Sequence, residues 1–468
     1  MSRVPHSGKL NRRRFIKATA AGVGAAAVIG PIAHSAEDKA PASAPAAKID
    51  EKKLVRRSEA PTMEYTRLGR TNWMVSRIVA GWCRDLSLHR RLLQRGVNYY
   101  DCAHGYGNYE VELKDFLKTF RDKVFIVSKA TDVAGYEKID DEVVTIYRKA
   151  MKDFLGEGEG DLLDLHKKAV EKQKATGEKP DLRPAGRRMA MLYSRKLDES
   201  LGRLGIDHVD AYFMHGVAIP WMFDCVEVWE AYEKAHKAGK AKHFGFSCHA
   251  NHKEVLAAAV AANDRGPWKI DLIMPGVNPQ SFDKLKPELH ALKKQDVGII
   301  AMKTKGIANR PVDAREEKFK SLMGDRKYNE WERAKLWMLH LTEGYIDNVI
   351  AAMKSVDEMD RTLGLATVKL SAEAKRELRA LVKYEMAGTC HLCGDCQSAC
   401  PEHIALTDMI RYHAYVHQYD EKQYARELYA KAGYDPARLC TGCGKCADAC
   451  TSGVQITRII RELSVCMA

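Results

Sequence analysis

The chain of 468 residues is long enough for one large domain and a small one, and its hydrophobic content of 46% is ordinary for a globular protein. Six of the 13 net positive charges come from residues 1–36, where six basic residues precede the first acidic residue, Glu37. Without those six the charge falls to about +7, a balance that does not support nucleic-acid binding. Eight of the 13 cysteines fall in two runs near the carboxyl terminus, and the other five show no pairing pattern, which is not typical of a disulfide framework.

Residues 1–36 predict an export signal. The run Asn11-Arg12-Arg13-Arg14-Phe15-Ile16-Lys17 resembles the twin-arginine motif, and the weakly apolar stretch 18–33 that follows is short and rich in Ala and Gly. We therefore expect export to the periplasm, or an equivalent compartment, by the twin-arginine machinery. An uncleaved signal acting as a membrane anchor remains open, and the alternative is a disordered basic tail. Residues 37–62, rich in Ala, Pro and charge, predict a flexible linker.

From about residue 75, short apolar runs alternate with amphipathic segments, which predicts alternating strands and helices. Eight repeats over roughly 300 residues predict an α/β fold, a (β/α)8 TIM barrel spanning residues 63–370. An open doubly wound sheet is the alternative, but that fold usually has a glycine-rich dinucleotide loop after its first strand, and Val79-Ala80-Gly81-Trp82-Cys83 is not one. The predicted strands are Val75–Gly81, Val97–Ala103, Val124–Ala130, Val209–Gly216, Ala241–Cys248, Ile270–Gly276, Val297–Thr304 and Asn348–Met353.

Three segments interrupt the regular alternation. Residues 63–74 predict a short hairpin before the first strand, and residues 305–330 form a long connection after the seventh. Residues 131–187 are an oversized third connection with predicted helices at 141–155 and 161–175. Because connections that follow barrel strands lie on the catalytic face, we predict that this insertion covers that face. The alternative is a solvated, charged insertion.

Two cysteine runs mark a small predicted domain of residues 371–468. Cys390-x-x-Cys393-x-x-Cys396-x-x-x-Cys400-Pro401 and, about 40 residues later, Cys440-x-x-Cys443-x-x-Cys446-x-x-x-Cys450 resemble the bacterial two-cluster ferredoxin. The resemblance implies two [4Fe–4S] clusters, in which the fourth cysteine of each run binds the other cluster. The implied ligand sets are Cys390, Cys393, Cys396 and Cys450 for one cluster, and Cys440, Cys443, Cys446 and Cys400 for the second. Zinc or disulfides are the alternative, and Thr451 replaces the proline usual after the second run.

The barrel segment resembles the aldo-keto reductase family over residues 63–366. The fragments that carry the resemblance occur in family order: Tyr65-Thr66-Arg67-Leu68-Gly69-Arg70, 96–107, 124–129, 200–215 and Gly245-Phe246-Ser247. It implies a catalytic tetrad composed of Asp101, Tyr106, Lys129 and His215. All four fall at or just past the carboxyl ends of predicted strands, where barrel enzymes keep their chemistry. A lysine ammonium beside a tyrosine favours the phenolate, which suits proton transfer. The alternative is a set of core polar residues in a barrel that has lost its chemistry.

The same resemblance implies NADP as a candidate cofactor. Ser247 matches the family serine that contacts the carboxamide, and Lys354-Ser355 match the pair that meets the adenosine 2′-phosphate. Three places depart from the family. Met274 replaces the pocket glutamine, Met302 replaces the stacking tyrosine, and Arg361-Thr362 align roughly with the family's Glu-Asn near the last helix.

The expected function is therefore that of an exported iron–sulfur oxidoreductase that interconverts a small carbonyl compound and its alcohol. Electrons would pass through the two clusters to or from a redox partner protein or a quinone-linked carrier. The alternative is an electron-transfer protein whose barrel is a non-catalytic scaffold. Nicotinamide transfers a hydride whereas each cluster takes one electron, and the sequence contains no recognisable flavin motif to join the two chemistries.

Overall fold

The computed structural model describes residues 50–83, 85–131, 133, 140–156, 169, 172–173, 175–217, 220–249, 252–305, 313–390, 396, 399–402, 404–417, 421–432 and 435–467. The predicted twin-arginine signal, linker residues 37–49, Cys393 and most of the helix predicted at 161–175 lie outside the described residues.

Eight parallel strands close into a barrel, which confirms the predicted (β/α)8 architecture. The described strands are β1 (Val55–Arg56), β2 (Tyr65–Leu68), β3 (Trp73–Ser76), β4 (Ile78–Ala80), β5 (Tyr99–Asp101), β6 (Phe125–Ala130), β7 (Val209–Met214), β8 (Ala241–Cys248), β9 (Leu272–Pro275), β10 (Gly298–Ala301) and β11 (Asn348–Ala351). The barrel runs in chain order from β4 to β11, and β11 pairs with β4 to close it. These strands read as continuous apolar runs because one face fills the barrel interior and the other packs under helices.

Helices follow the barrel strands and continue into the carboxyl-terminal domain. Those of the barrel region are α1 (Ser87–Gln94), α2 (Tyr109–Phe120), α3 (Asp141–Leu155), α4 (Arg183–Leu204), α5 (Val226–Lys237), α6 (His252–Arg265), α7 (Phe282–Lys294), α8 (Asp313–Leu322), α9 (Glu330–Leu341), α10 (Val356–Leu363) and α11 (Ala372–Glu385). Those beyond it are α12 (Leu406–His417), α13 (Lys422–Ala432), α14 (Pro436–Leu439), α15 (Lys445–Asp448) and α16 (Ile456–Met467).

The predicted hairpin closes one end of the barrel, but it takes residues from the predicted first strand. β2 and β3 pair antiparallel, and β3 extends to Ser76. The strand ends there because the Ser76 amide donates to the Asn98 side-chain oxygen (3.0 Å) instead of to the backbone of a neighbouring strand. Trp73 stacks on Phe125 inside the barrel, with ring centroids 4.6 Å apart. The barrel strand itself is only Ile78–Ala80.

The stretch 50–62, predicted as part of a flexible linker, is docked on the barrel. Its strand β1 pairs in parallel with β3. Arg57 forms an ion pair with the buried carboxylate of Asp210 (Nη2–Oδ1 3.0 Å), and its guanidinium lies 4.5 Å from the centre of the Phe125 ring. A buried carboxylate needs such a partner, which explains why this segment is ordered despite its composition.

The boundary between the two domains lies later than the predicted 370/371. Helix α11 contributes Leu378, Leu381 and Val382 to the main barrel core, and it packs along α9. A second core begins at Cys390 and includes apolar residues from α12 and α16. The region 411–432 between the two cysteine runs belongs to two helices, α12 and α13.

The described part of the 131–187 insertion lies beside the connection that follows β7. Helix α3 has the predicted bounds, 141–155. Its Tyr147 and Met151 pack with Ala185 at the start of α4, and Tyr147 also faces Trp221, with ring centroids 6.1 Å apart. That the insertion as a whole covers the catalytic face stays a prediction. Within the described residues, no helix is both long enough and apolar enough to cross a membrane.

Candidate active site

The four tetrad candidates meet at the carboxyl ends of three adjacent strands. Asp101 is the last residue of β5, Lys129 lies one residue before the end of β6, and His215 directly follows β7. Tyr106 lies in the connection after β5. Strands β5, β6 and β7 pair in register, with Asp101 opposite Val127 and Lys129 opposite Phe213. The parallel register is what brings residues distant in sequence to one place.

Lys129 is the centre of the site. Its ammonium is 1% exposed and donates to Asp101 Oδ2 (2.5 Å), to the Cys102 carbonyl oxygen (2.8 Å) and to the Tyr106 hydroxyl oxygen (3.5 Å). These three contacts match the three donors of an ammonium group. Burial alone would lower the pKa of Lys129, but the charges of Asp101 and Tyr106 outweigh it and the pKa is raised. The ammonium therefore stays charged beside the tyrosine oxygen.

His215 is held neutral against the tyrosine. Its ring meets the Tyr106 ring nearly perpendicularly, with centroids 5.6 Å apart. Burial, and then the positive charges of Lys129 and Lys303, lower the pKa of His215 to about 3. A neutral imidazole has one donor and one acceptor nitrogen, so its role depends on which nitrogen carries the proton.

Thr131, which the sequence reasoning missed, favours one of those two states. Its Oγ1 lies 2.8 Å from His215 Nδ1 and accepts a hydrogen bond from the Gly105 amide (3.0 Å). With that amide already donating to it, the hydroxyl is suited to donate to Nδ1, which leaves the proton on Nε2 as a donor for a substrate oxygen. Thr131 could have been found from the sequence because it directly follows Lys129-Ala130 at the end of the strand.

Trp82 forms a wall of the same site and was also missed. Its ring stacks on Tyr106, with centroids 5.3 Å apart and planes inclined by 10°. The side chain is 40% exposed. Trp82 could have been found from the sequence, because a residue shortly after the first barrel strand lies at the catalytic rim.

The described cysteines of the carboxyl-terminal domain gather in one region, and four of them meet at one pocket. One pocket is lined by Cys400, Cys440, Cys443 and Cys446, the ligand set predicted for the second cluster.

For the first cluster, Cys390 and Cys396 are buried in the same core, and Cys450 packs against it. The Val454 amide donates to Cys450 Sγ (3.4 Å), a contact that suits a thiolate ligand. The described cysteines are not in disulfides. Among the described residues, no three His, Cys, Asp or Glu side chains converge closely enough to hold a single metal ion. Except for Cys443, the described cysteines of the two runs share one core, and the cysteines that line the pocket are one of the two implied ligand sets.

Family comparisons agree with this division of the chain. The model of the aldo/keto reductase family matches residues 85–383, and that of the 4Fe-4S dicluster domain matches residues 389–455. The chain belongs to the aldo/keto reductase family. This is a family of oxidoreductases, and here its barrel is followed by an iron–sulfur domain of the dicluster type.

Individual relatives of this aldo/keto reductase are distant. YrpG of Bacillus subtilis, described as an uncharacterized oxidoreductase, is 28% identical over 225 residues, which are 43% of this chain and 55% of that protein. The chain thus spans about half the length of that relative. Among solved structures, the holo form of aldo-keto reductase AKR11C1 from Bacillus halodurans is 18% identical, covering 68% of this chain and 96% of that one, with a TM-score of 0.46. The thermostable aldo-keto reductase Tm1743 is 19% identical, with coverages of 68% and 100% and a TM-score of 0.47.

The predicted nucleotide contacts of this aldo/keto reductase are engaged by the protein itself. Ser247 is buried, and its Oγ accepts from the Gly216 amide (2.8 Å). Ser355 caps α10 by accepting from the Glu358 amide (3.2 Å). Lys354 Nζ donates to Glu421 Oε1 in the iron–sulfur domain (2.5 Å).

The two substituted methionines lie inside the barrel. Met274 and Met302 are buried among the apolar side chains of the interior, where a thioether supplies neither the amide donor nor the aromatic face of the family pattern. Together with the engaged Lys354 and Ser355, they show that these residues do not fit NADP in the manner that the resemblance implies.

Proposed function

We propose that this chain is an iron–sulfur oxidoreductase that interconverts a small carbonyl compound and its alcohol at the Tyr106 hydroxyl. The observation that carries the proposal is the position of the Lys129 ammonium, which contacts both Asp101 and the Tyr106 oxygen at the carboxyl rim of the barrel. A side chain used only for packing would not need a buried charge aimed at a phenol. Strongly interacting buried groups in a cleft are typical of catalytic sites.

Each residue has a distinct task in this proposal. The Tyr106 hydroxyl gives a proton to the carbonyl oxygen or takes one from the alcohol. The Lys129 ammonium stabilises the phenolate that forms, and Asp101 holds that ammonium in place. Neutral His215 donates from Nε2 to the same substrate oxygen and orients it. The Trp82 ring shields the hydroxyl from water on one side.

The iron–sulfur domain provides the electron capacity. When bound, two clusters would supply one electron each, which matches the two electrons by which an alcohol and its carbonyl differ. The conversion also moves two protons, one at the oxygen through Tyr106 and one exchanged with solvent at the carbon. The residues that would hold them are Cys390, Cys393, Cys396 and Cys450 for one, and Cys400, Cys440, Cys443 and Cys446 for the other. A redox partner protein or a quinone-linked carrier would exchange electrons with this domain.

A second candidate function is electron transfer with a non-catalytic barrel. The engaged Lys354 and Ser355 favour it, because a barrel without a nucleotide lacks the usual electron donor of its family. The contacts of Lys129 favour the first candidate. They depend on no nucleotide residue and keep the proton-transfer group assembled.

Anaerobic titration of the purified protein separates the two functions. We expect the visible absorbance of the clusters to change when a panel of primary alcohols or the corresponding aldehydes is added to the oxidised or reduced protein. A carrier would respond to dithionite and to redox proteins but to no member of the panel. Loss of the response in Tyr106→Phe would assign it to the barrel site.

We further propose export by the twin-arginine route, supported by the motif at 11–17 and by the need to fold an iron–sulfur protein before export. The double variant Arg12→Lys with Arg13→Lys should retain the protein in the cytoplasm. Equal export of the variant and the wild type would contradict the proposal.

A further inference from the structure

The iron–sulfur domain contacts the barrel at its carboxyl rim. Lys284, in the first turn of α7, reaches Thr451, the residue after Cys450 (Nζ–Oγ1 3.4 Å). Lys354, in the connection after β11, forms the ion pair with Glu421. Both lysines belong to segments that follow barrel strands, so the domain sits on the face where the tetrad lies.

The Lys354–Glu421 pair joins two well-anchored ends. The backbone amide of Lys354 donates to Glu358 Oε2 (2.9 Å), which fixes the start of the segment before α10. The backbone amide of Glu421 donates to the Tyr415 carbonyl oxygen (2.8 Å) just before α13. The carboxylate of Glu421 is 23% exposed and its oxygen lies 2.5 Å from Lys354 Nζ. Both backbones are therefore anchored beside the pair, while the Lys354 side chain itself is 58% exposed.

A carboxylate and a phosphate compete for the same ammonium. The family resemblance predicts that Lys354 binds the adenosine 2′-phosphate of NADP, yet here its ammonium is paired with the Glu421 carboxylate. A second anion brought to this position would meet a negative carboxylate at hydrogen-bond distance from the ammonium, and like charges in such proximity repel.

We propose that Glu421 takes the place of the nucleotide 2′-phosphate on Lys354. The iron–sulfur domain thereby removes the preference for a 2′-phosphorylated nucleotide that the barrel sequence would otherwise have. The inference concerns binding alone and does not depend on the catalytic proposal, since no tetrad residue takes part.

The direct test measures nucleotide affinity on the complete, cluster-loaded protein under anaerobic conditions. Adenosine 2′,5′-bisphosphate, NADPH and NADH are titrated calorimetrically into the wild type and into Glu421→Gln. We expect the wild type to bind NADPH no more tightly than NADH, and to bind the bisphosphate weakly. In Glu421→Gln, binding of NADPH and of the bisphosphate should tighten by about five- to tenfold, because partly exposed ion pairs are modest in strength. Binding of NADH should not change.

Two further variants make the outcome specific. Lys354→Met in the Glu421→Gln background should abolish the gain, because the ammonium is then missing. Glu427→Gln, which neutralises an exposed carboxylate on α13 of the same domain, should behave as the wild type. An unchanged cluster absorption spectrum verifies that each variant is folded. A tenfold preference for NADPH in the wild type, or no gain for NADPH and the bisphosphate in Glu421→Gln, would overturn the proposal.

Discussion

Tyr106 is the residue on which the proposed chemistry depends most. Replacing it by Phe removes the hydroxyl but keeps the ring that stacks on Trp82 and meets His215. General acid–base catalysis contributes about 10²–10⁴-fold, so we expect turnover of carbonyl or alcohol substrates to fall by that order. The assay uses an artificial one-electron dye, with cluster absorbance as the folding control. Wild-type turnover by Tyr106→Phe on every substrate would make the electron-carrier function the better one.

His215 gives a prediction about pH. Because its pKa is lowered to about 3, it should stay neutral, and turnover should show no acidic limb with a midpoint near the ordinary histidine value of about 6.5. The depressed pKa also means that the unfolded chain binds more protons between these two values. Stability from this residue is therefore present above pH 6.5 and is lost as the pH falls toward 3. A rate profile from pH 5 to 8 checks the first point, and a limb near pH 6.5 that is absent in His215→Gln would contradict it.

At the scale of elements, local sequence patterns were sufficient to predict the strands and helices. They were not sufficient to predict the tertiary contacts between segments that are distant in sequence. The eight barrel strands and helix α3 follow from continuous apolar runs and helical periodicity, which are properties of the sequence itself. The docking of 50–62 depends on Arg57 reaching Asp210, which is distant in sequence. Helix α11 was assigned to the wrong domain because its sequence shows an apolar face but not the helix that covers it.

In the candidate site, too, the residues in local motifs could be predicted, and those that act through distant partners could not. The tetrad could be predicted because its residues occur in recognisable fragments at strand ends. Thr131 and Glu421 act through partners 84 and 67 residues away, which sequence spacing does not reveal. The ion pair between Lys354 and Glu421 thus depends on how the iron–sulfur domain is placed against the barrel.

Helix α9 carries a lysine that should cost stability. Lys335 is 7% exposed, and burial lowers its pKa to about 8, an effect that Glu358 opposes and Lys305 reinforces. Because this value lies below the unfolded value near 10.5, the penalty is full below pH 8, and stability should rise as the pH rises from 8 to 10.5. Lys335→Met should therefore stabilise the protein at pH 7, by on the order of 2 kcal/mol, and abolish that rise.

Anaerobic denaturant unfolding at pH 7 and pH 9.5, followed by tryptophan fluorescence, measures both effects of Lys335→Met. Lys383→Met, which removes an exposed lysine on α11, serves as the control and should change neither. A destabilised Lys335→Met variant would show that the ammonium has a stabilising partner that outweighs its burial.

At the scale of the whole molecule, the proposed proton transfer and the proposed electron storage belong to different domains that meet at one face. The tetrad lies at the carboxyl rim of the barrel, and the iron–sulfur domain contacts the same rim through Lys284 and Lys354. This arrangement explains how a barrel with an altered nucleotide pocket could remain an oxidoreductase, because electrons would need to cross only one internal interface.

The cluster ligands can be tested independently of any substrate. Cys443 belongs to the pocket with Cys400, Cys440 and Cys446, whereas the other ligand set comes from the first run and Cys450. Cys443→Ser should therefore lose about four of about eight irons, with matching sulfide, and keep the remaining cluster. Cys466→Ser is the matched control, since this half-buried cysteine contacts His417 (3.6 Å) and lies outside both runs. Anaerobic iron and sulfide analysis with electron paramagnetic resonance measures the result. Zinc without sulfide in the wild type would exclude the clusters, and full iron content in Cys443→Ser would show that the ligand set is wrong.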